Sequence, residues 1–208
     1  MRLIVIGTEY TGKTALIDAL YAWGESVGIH YHLDDHFSIP DQYFLSKTDQ
    51  TAMMGMPPVI KERFQRFQIY YHIDVMANHS DCLLGGMHIE ESIYGRRYYY
   101  PDNVFPIPYM RKIESHLPKD TILLLLKARP DVIQSRMAAD PHLYPVVPAA
   151  DIESVSAEFE EEYRQSWIER RLIIDTSDLT AKTLFTTFME RIKPHLDTRD
   201  ILRFQAIG

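Results

Sequence analysis

The sequence predicts an α/β domain in which a largely parallel sheet is flanked by helices. Two observations carry this expectation. The apolar run Leu3-Ile4-Val5-Ile6 leads without a break into Gly7-Thr8-Glu9-Tyr10-Thr11-Gly12-Lys13-Thr14 and then into a helical pattern. Further along, short apolar runs keep alternating with segments of helical period, the pattern of strand–helix–strand units.

Residues 2–6 read as a buried parallel strand, being continuous and β-branched rather than alternating. A helix follows over 13–27, with Leu16, Ala19, Leu20, Trp23 and Val27 on one face and Gly28 as its stop. Residues 29–33 form a second short strand running into Asp34-Asp35-His36. Pro40, Gly55, Pro57 and Pro58 break up residues 37–58, which read as a long loop or broken helix. Its methionines, Met53, Met54 and Met56, suit either a cover over a site or adaptable packing.

A long helix is expected over 59–78, with Ile60, Phe64, Gln68, Tyr71 and Val75 on the stripe taken to face inward. Residues 82–89 read as a third strand, interrupted by Gly85-Gly86. The fourth strand, 121–127, is the clearest buried run, and Pro130 opens a helix carrying Val132, Ile133, Arg136 and Met137. A loop spaced by Pro141, Pro145 and Pro148 separates it from a charged helix over 151–170. A fifth strand at 172–175 and a helix over 179–196 close the pattern. The expectation is one domain over 1–208, with a substrate-covering segment at 37–58 and a lid at 136–150.

The net charge of −7 and pI near 5.7 argue against a nucleic-acid-binding face. The single cysteine, Cys82, excludes an internal disulfide. No apolar run reaches about 18 residues, and the chain opens on a strand without a leader. A cytoplasmic protein with no membrane or nucleic-acid partner is expected.

The spacing Gly7-x-x-x-x-Gly12-Lys13-Thr14 is that of a phosphate-cradling loop. Backbone N–H groups of Gly7, Thr8, Glu9, Tyr10, Thr11, Gly12 and Lys13, with Thr14 and Ala15 at the helix start, form an anion nest. Lys13 reaches the outer phosphates of a nucleoside triphosphate, and the Thr14 hydroxyl suits Mg²⁺. Glu9 is out of character beside phosphate and is expected to point toward something else. Ligands of such sheets sit at the carboxyl ends of the strands, which gathers Asp34, Asp35, Glu90, Glu91 and Arg129 around this loop. The guanine-reading segment Asn-Lys-x-Asp of GTPases is absent. A carboxylate at the end of the second strand suits a kinase, where Asp34 or Asp35 takes the proton of an acceptor hydroxyl; capping of the turn is the alternative. Glu90 suits Mg²⁺, directly or through water. His30, His32 and His36 lack a convincing third metal ligand.

Several segments resemble the deoxyribonucleoside kinases. Glu90-Glu91-Ser92-Ile93-Tyr94-Gly95-Arg96-Arg97-Tyr98 is similar to their Glu-Arg-Ser…Arg-Tyr segment, and Phe67-Gln68-Ile69-Tyr70 to their Phe-Gln-x-Tyr. Val147-Pro148 with the Glu-rich helix to Trp167-Ile168, and Ile174-Asp175-Thr176 with the last helix, resemble later segments shared in part with thymidylate kinases. The resemblance implies a P-loop NTPase-type three-layer fold with a five-stranded parallel sheet. It implies ATP and Mg²⁺ as cofactors, a small-molecule hydroxyl acceptor of nucleoside type, and a homodimer through the long helices. It gives Gln68 to a base edge, Phe67 to packing around a planar ring, Asp34 or Asp35 to the base role, and Lys13, Arg136 and Arg96 to phosphate contacts. Two departures stand out: Glu91 replaces the family's Arg, and the lid segment offers Arg136 and His142 at most. Two alternatives follow. One is a nucleoside monophosphate kinase, which the acidic residue in the loop, as in bacterial thymidylate kinases, supports. The other is a catalytically impaired nucleotide-binding regulator.

Overall fold

The computed structural model describes the backbone of residues 1–34, 39–41, 45–102 and 107–207, and the side chains of these except 34, 107–110 and 205–207. Five strands form one sheet: β1 (Arg2–Ile6), β2 (His32–Asp34), β3 (Cys82–Gly85), β4 (Ile122–Lys127) and β5 (Arg170–Asp175). Their order is β2-β3-β1-β4-β5, and every pairing is parallel.

The continuous apolar runs are explained by two cores, one on each sheet face. Ile4, Ile6, Leu84, Leu123 and Leu125 face one core, and Leu3, Val5, Leu83, Leu124 and Leu126 face the other. On the second face the helices α1 (Lys13–Ser26) and α8 (Ala181–Arg191) bring Leu16, Ile17, Leu20, Leu184 and Phe188. Each such side chain contributes about 1.5–3 kcal/mol by leaving water. The first face is covered by α4 (Met87–Tyr94) and α7 (Ile152–Gln165), which bring Ile89, Ile93, Tyr94, Val155 and Phe159. The neighbours of β1 are β3 on one side and β4 on the other, so the connections diverge at its carboxyl end. That crevice is where a ligand fits in a sheet of this topology.

Several element boundaries differ from expectation. β3 stops at Gly85 rather than running to Ile89, because Gly86 takes φ +81° and turns the chain directly into α4. The second strand is shifted to His32–Asp34, while Ile29 and Tyr31 stay buried just before it. A helix, α2 (Lys47–Met54), lies inside the segment read as a long loop or broken helix, in keeping with the second reading, and Ser46 caps it by accepting from the Asp49 N–H. The helix α6 (Pro130–Ala139) matches its expected start. Not foreseen were the wide π-turn at Gly95–Tyr99 after α4, and the helices α5 (Ile107–Glu114) and α9 (Thr198–Ile207). No described helix is long and apolar enough to cross a membrane.

The largest correction concerns α3 (Pro58–Asn78). Of the stripe expected to face inward, only Val75 is buried; Ile60, Phe64 and Tyr71 are exposed. The inward face carries Glu62, Gln65, Ile69, His72 and Met76 instead. The helical period is right and the assignment of the inner face is wrong. A helix that turns polar groups toward the interior reverses the usual amphipathic reading.

Candidate active site

The phosphate loop joins β1 to α1. Gly7 has φ +145°, and a Cβ there would fall 2.2 Å from the Leu126 carbonyl oxygen of β4. Only glycine lets the loop leave the sheet so close to its neighbour. Gly12, with φ +93°, caps α1. Tyr10 adopts φ +63° without being glycine, so the loop's curvature is held by its surroundings. The Thr11 hydroxyl donates to the Thr8 carbonyl (2.8 Å), and Thr176, just past β5, donates to the Thr11 carbonyl (2.9 Å).

A cavity of about 650 Å³ opens above this loop. Residues 8–15 line one side; Gly85, Glu90, Tyr94 and Tyr99 line another, and Arg136, Asp140, His142, Thr176 and Thr180 a third. Lys13 Nζ donates to the Gly7 carbonyl (2.5 Å) and pairs with Glu90 (3.0 Å). Thr14 is exposed in the first turn of α1 and lines the cavity. Burial first, and then the Glu90 carboxylate, push the Tyr94 and Tyr99 phenols well above their ordinary pKa.

Glu9 turns away from the phosphate nest. Its carboxylate accepts from the backbone N–H groups of Val146 (2.9 Å) and Val147 (2.7 Å) and meets His142 Nδ1 at 3.0 Å. The Tyr10 ring stacks on His142 with centroids 4.1 Å apart, and its hydroxyl accepts from the His142 N–H. Two consecutive loop residues therefore bind the segment that follows α6. Arg136 takes part in the same joint: its guanidinium donates to the Tyr10 and Thr176 carbonyls at 2.8 and 2.7 Å.

The acceptor-side expectations fare unevenly. Asp34 ends β2 in register with Leu84, beside the strand that leads to Glu90; its side chain, with Asp35 and His36, lies outside the described residues. Gln68 is only half-buried, and Phe67 is 71% exposed on the outer face of α3, away from the cavity lining. At about 100° per residue, Gln65 occupies the inward position and is fully buried. Arg96 is not aimed at a ligand: with Arg97 it clamps Glu158 of α7, at 2.8 Å from Arg96 and 3.0 Å from Arg97 Nε. Burial opposes ionisation of Glu158, but the two guanidiniums outweigh it and lower its pKa. Arg129 is exposed and pairs with Asp178 outside the cavity.

Glu91 is 4% exposed, and neither of its carboxyl oxygens has a hydrogen-bond partner among the described residues. Burial, followed by the charges of Glu62 and Glu90, raises its pKa well above the carboxylate range. Glu62 itself pairs with Arg66 of the next turn. Among the described residues no three His, Cys, Asp or Glu side chains converge as a metal cage. The residues present nevertheless fit a magnesium nucleotide: a loop of backbone amides, a part-buried lysine, and a threonine and a carboxylate lining the same cavity.

No family model and no curated protein matches the sequence. Solved structures do. YorR from Bacillus subtilis, in complex with phosphorylated GDP, superposes with a TM-score of 0.62 at 14% identity, covering 95% of this chain and 99% of that one. Deoxyadenosine kinase from M. mycoides with bound dATP gives 0.60 at 15% identity, covering 93% and 100%. A sugar kinase from Janibacter sp. gives 0.51 at 14% identity, covering 94% and 98%. The chain has a three-layer α/β P-loop NTPase fold. Thr176, on the cavity, and Gln65, buried on the inner face of α3, are positions that the sequence did not single out. The second Phe-Gln pair, Phe64-Gln65, was the available signal for Gln65.

Proposed function

We propose that the protein is an ATP- and Mg²⁺-dependent kinase that transfers the γ-phosphoryl group to a hydroxyl of a nucleoside or similar small molecule. The observation that carries this reading is the single cavity shared by the phosphate loop, the Lys13–Glu90 pair and the carboxyl end of the sheet. Residues 7–15 would hold the triphosphate, with Lys13 moving from the Gly7 carbonyl and Glu90 onto the outer phosphates. Thr14 and Glu90 would hold Mg²⁺, which supplies charge neutralisation across the phosphates. Asp34 or Asp35 would take the proton as the acceptor oxygen bonds to phosphorus and ADP leaves.

Solved structures of the same fold that bind GDP and dATP support the nucleotide half of the reading. In the proposal, residues 37–58 and 136–150 close over the substrates within one domain, in a cytoplasmic homodimer. The test is transfer of labelled γ-phosphate from ATP to a panel of nucleosides and sugars, with Lys13→Ala, Asp34→Asn and Asp35→Asn as controls. Transfer to a hydroxyl compound that Lys13→Ala and one of the two aspartate substitutions abolish is expected. Nucleotide binding without transfer to any acceptor would sink the reading.

A further inference from the structure

Tyr94 is fixed as a ring and uncommitted as a hydroxyl. It stands four residues after Glu90 on α4, so the two share one face of that helix, and both line the cavity. The ring is 1% exposed and meets Phe159 of α7 edge-on, with centroids 5.6 Å apart. The groups that act on its hydroxyl are Glu90, Glu9 and the Thr8 hydroxyl of the phosphate loop. Yet neither the Tyr94 nor the Thr8 hydroxyl meets a partner in hydrogen-bonding geometry among the described residues, and Thr8 is buried too. A buried tyrosine hydroxyl usually finds a partner, and leaving one without costs stability.

The neighbouring hydroxyls of the cavity wall are committed. Thr11 donates to the Thr8 carbonyl, Thr176 donates to the Thr11 carbonyl, and Thr180 caps α8. Tyr99 meets the backbone of Ile39. Among the described residues that line the cavity, Lys13 and Arg136 are the only Lys or Arg, and Arg136 is occupied by the Tyr10 and Thr176 carbonyls. Phosphoryl transfer depends on groups that offset charge on the phosphoryl oxygens. Beyond the loop amides and Mg²⁺, the kinase reading assigns that role to Lys13 alone.

We infer that Tyr94 is a catalytic residue whose hydroxyl, beside that of Thr8, donates a hydrogen bond to the phosphoryl group as it is transferred. The inference rests on the kinase reading and adds a residue to its chemistry. A lysine in this loop serves the outer phosphates, and Lys13 pairs with Glu90, one helical turn from Tyr94. The phenol therefore stands at the reacting end of the cavity. The acceptor oxygen bonds to the γ-phosphorus as the bond to the β–γ bridging oxygen breaks, and ADP leaves with the electron pair. The acceptor proton passes to Asp34 or Asp35. Tyr94 keeps its own proton, since a phenol ordinarily titrates at about 10 and burial raises that further. It supplies a neutral donor, already held in place by the packing of its ring.

The experiment compares the wild-type protein with Tyr94→Phe, which keeps the ring and removes only the hydroxyl. Three quantities are read: the thermal midpoint without ligand, kcat on whichever hydroxyl compound is phosphorylated, and affinity for Mg·ADP with and without aluminium fluoride. Aluminium fluoride stands in for the phosphoryl group in transfer. The variant's kcat is expected to fall by about a hundredfold, with affinity for Mg·ADP alone held. The gain in affinity that aluminium fluoride gives the wild type should shrink by about tenfold or more. The midpoint should stay or rise, because the hydroxyl gives up no partner within the fold. A kcat or an aluminium fluoride gain equal to the wild type's overturns the inference. So does a lowered midpoint or a variant that fails to fold, since the hydroxyl would then hold the fold together. If no compound is phosphorylated, the kinase reading fails, and the aluminium fluoride comparison decides the phosphoryl contact alone. A gain lost in Tyr94→Phe upholds that contact; an equal gain, or none in the wild type, overturns it.

Discussion

The carboxylate of Glu9 holds the backbone N–H of Val147 at 2.7 Å, so a phosphate-loop side chain anchors a segment 138 positions away in sequence. The same carboxylate accepts from Val146, while Tyr10 stacks on His142. An acidic residue in an anion-binding loop is thereby accounted for: its charge is spent on the covering segment.

Removing that anchor should loosen the segment before it unfolds anything. Hydrogen bonds to a charged acceptor contribute about 1.5–3 kcal/mol each, so Glu9→Ala should speed amide exchange at Val146 and Val147 by roughly ten- to hundredfold. Exchange in β1 and β4 should stay as it was, since their bonds are independent of Glu9. Glu9→Gln, which keeps one acceptor oxygen, should fall between. Exchange at 146–147 unchanged in Glu9→Ala would show that Tyr10 and Arg136 hold the segment alone.

Gly86 is a second point at which one atom decides the site. It has φ +81°, and a Cβ would lie 2.8 Å from the Glu90 carboxyl carbon. Gly86→Ala therefore combines backbone strain of about 1–3 kcal/mol with a push on the side chain that faces Lys13. Urea unfolding should report a loss of that size, and ATP affinity should change with it. Gly28→Ala is the control: its φ is also positive, at +75°, but no atom lies within 4 Å of the added Cβ. It should cost stability and leave nucleotide affinity alone.

The buried Glu114 makes stability depend on pH. It meets His88 Nε2 at 3.0 Å and accepts from the Ser166 hydroxyl (2.9 Å) and the Trp167 N–H (2.5 Å). Burial opposes its ionisation, but the His88 hydrogen bond and the others outweigh it, and its pKa is lowered. A carboxylate held low in the folded state binds fewer protons there than in the unfolded chain, so stability rises with pH. Its contribution is complete above the ordinary glutamate value, about 4.3, and is lost as pH falls through the depressed folded value. Glu114→Gln should flatten that part of the acid unfolding curve and, at neutral pH, cost roughly 3–5 kcal/mol by breaking a buried pair. An unchanged acid limb would rule the assignment out.

How much of this was legible depended on the distance over which each signal acts. The loop from Gly7 to Thr14 and the runs in β1 and β4 are local patterns, and all three lie where the sequence indicates. The partners of Glu9 at 146–147 and of Glu114 at 88 and 166 are remote in sequence, and no local pattern points to them. α3 is a different kind of failure. Phe64-Gln65 and Phe67-Gln68 repeat the same pair three residues apart, so spacing alone cannot choose the inward glutamine. The apolar stripe argued for Gln68, yet the interior beside α3 is polar, and Gln65 is the buried one.

The outward stripe of α3 leads to the last prediction. Ile60, Phe64, Phe67 and Tyr71 follow spacings of four, three and four, and stand 47, 40, 71 and 48% exposed. That spacing makes a continuous seam on one side of a helix, the form that a second helix packs against. The 21 residues of α3 span about 30 Å. In an antiparallel pair centred near Phe67, Lys61 of one copy faces Asp74 of the other, while Phe64 meets Tyr71. Light scattering is therefore expected to give twice the chain mass of 24.3 kDa. Phe67→Glu should return it to one chain mass, with little change in the unfolding midpoint of the isolated subunit, because Phe67 is 71% exposed and belongs to neither core among the described residues. A wild-type protein that is monomeric at micromolar concentration would exclude the seam as a subunit contact. A dimer that survives Phe67→Glu would move the contact to another face.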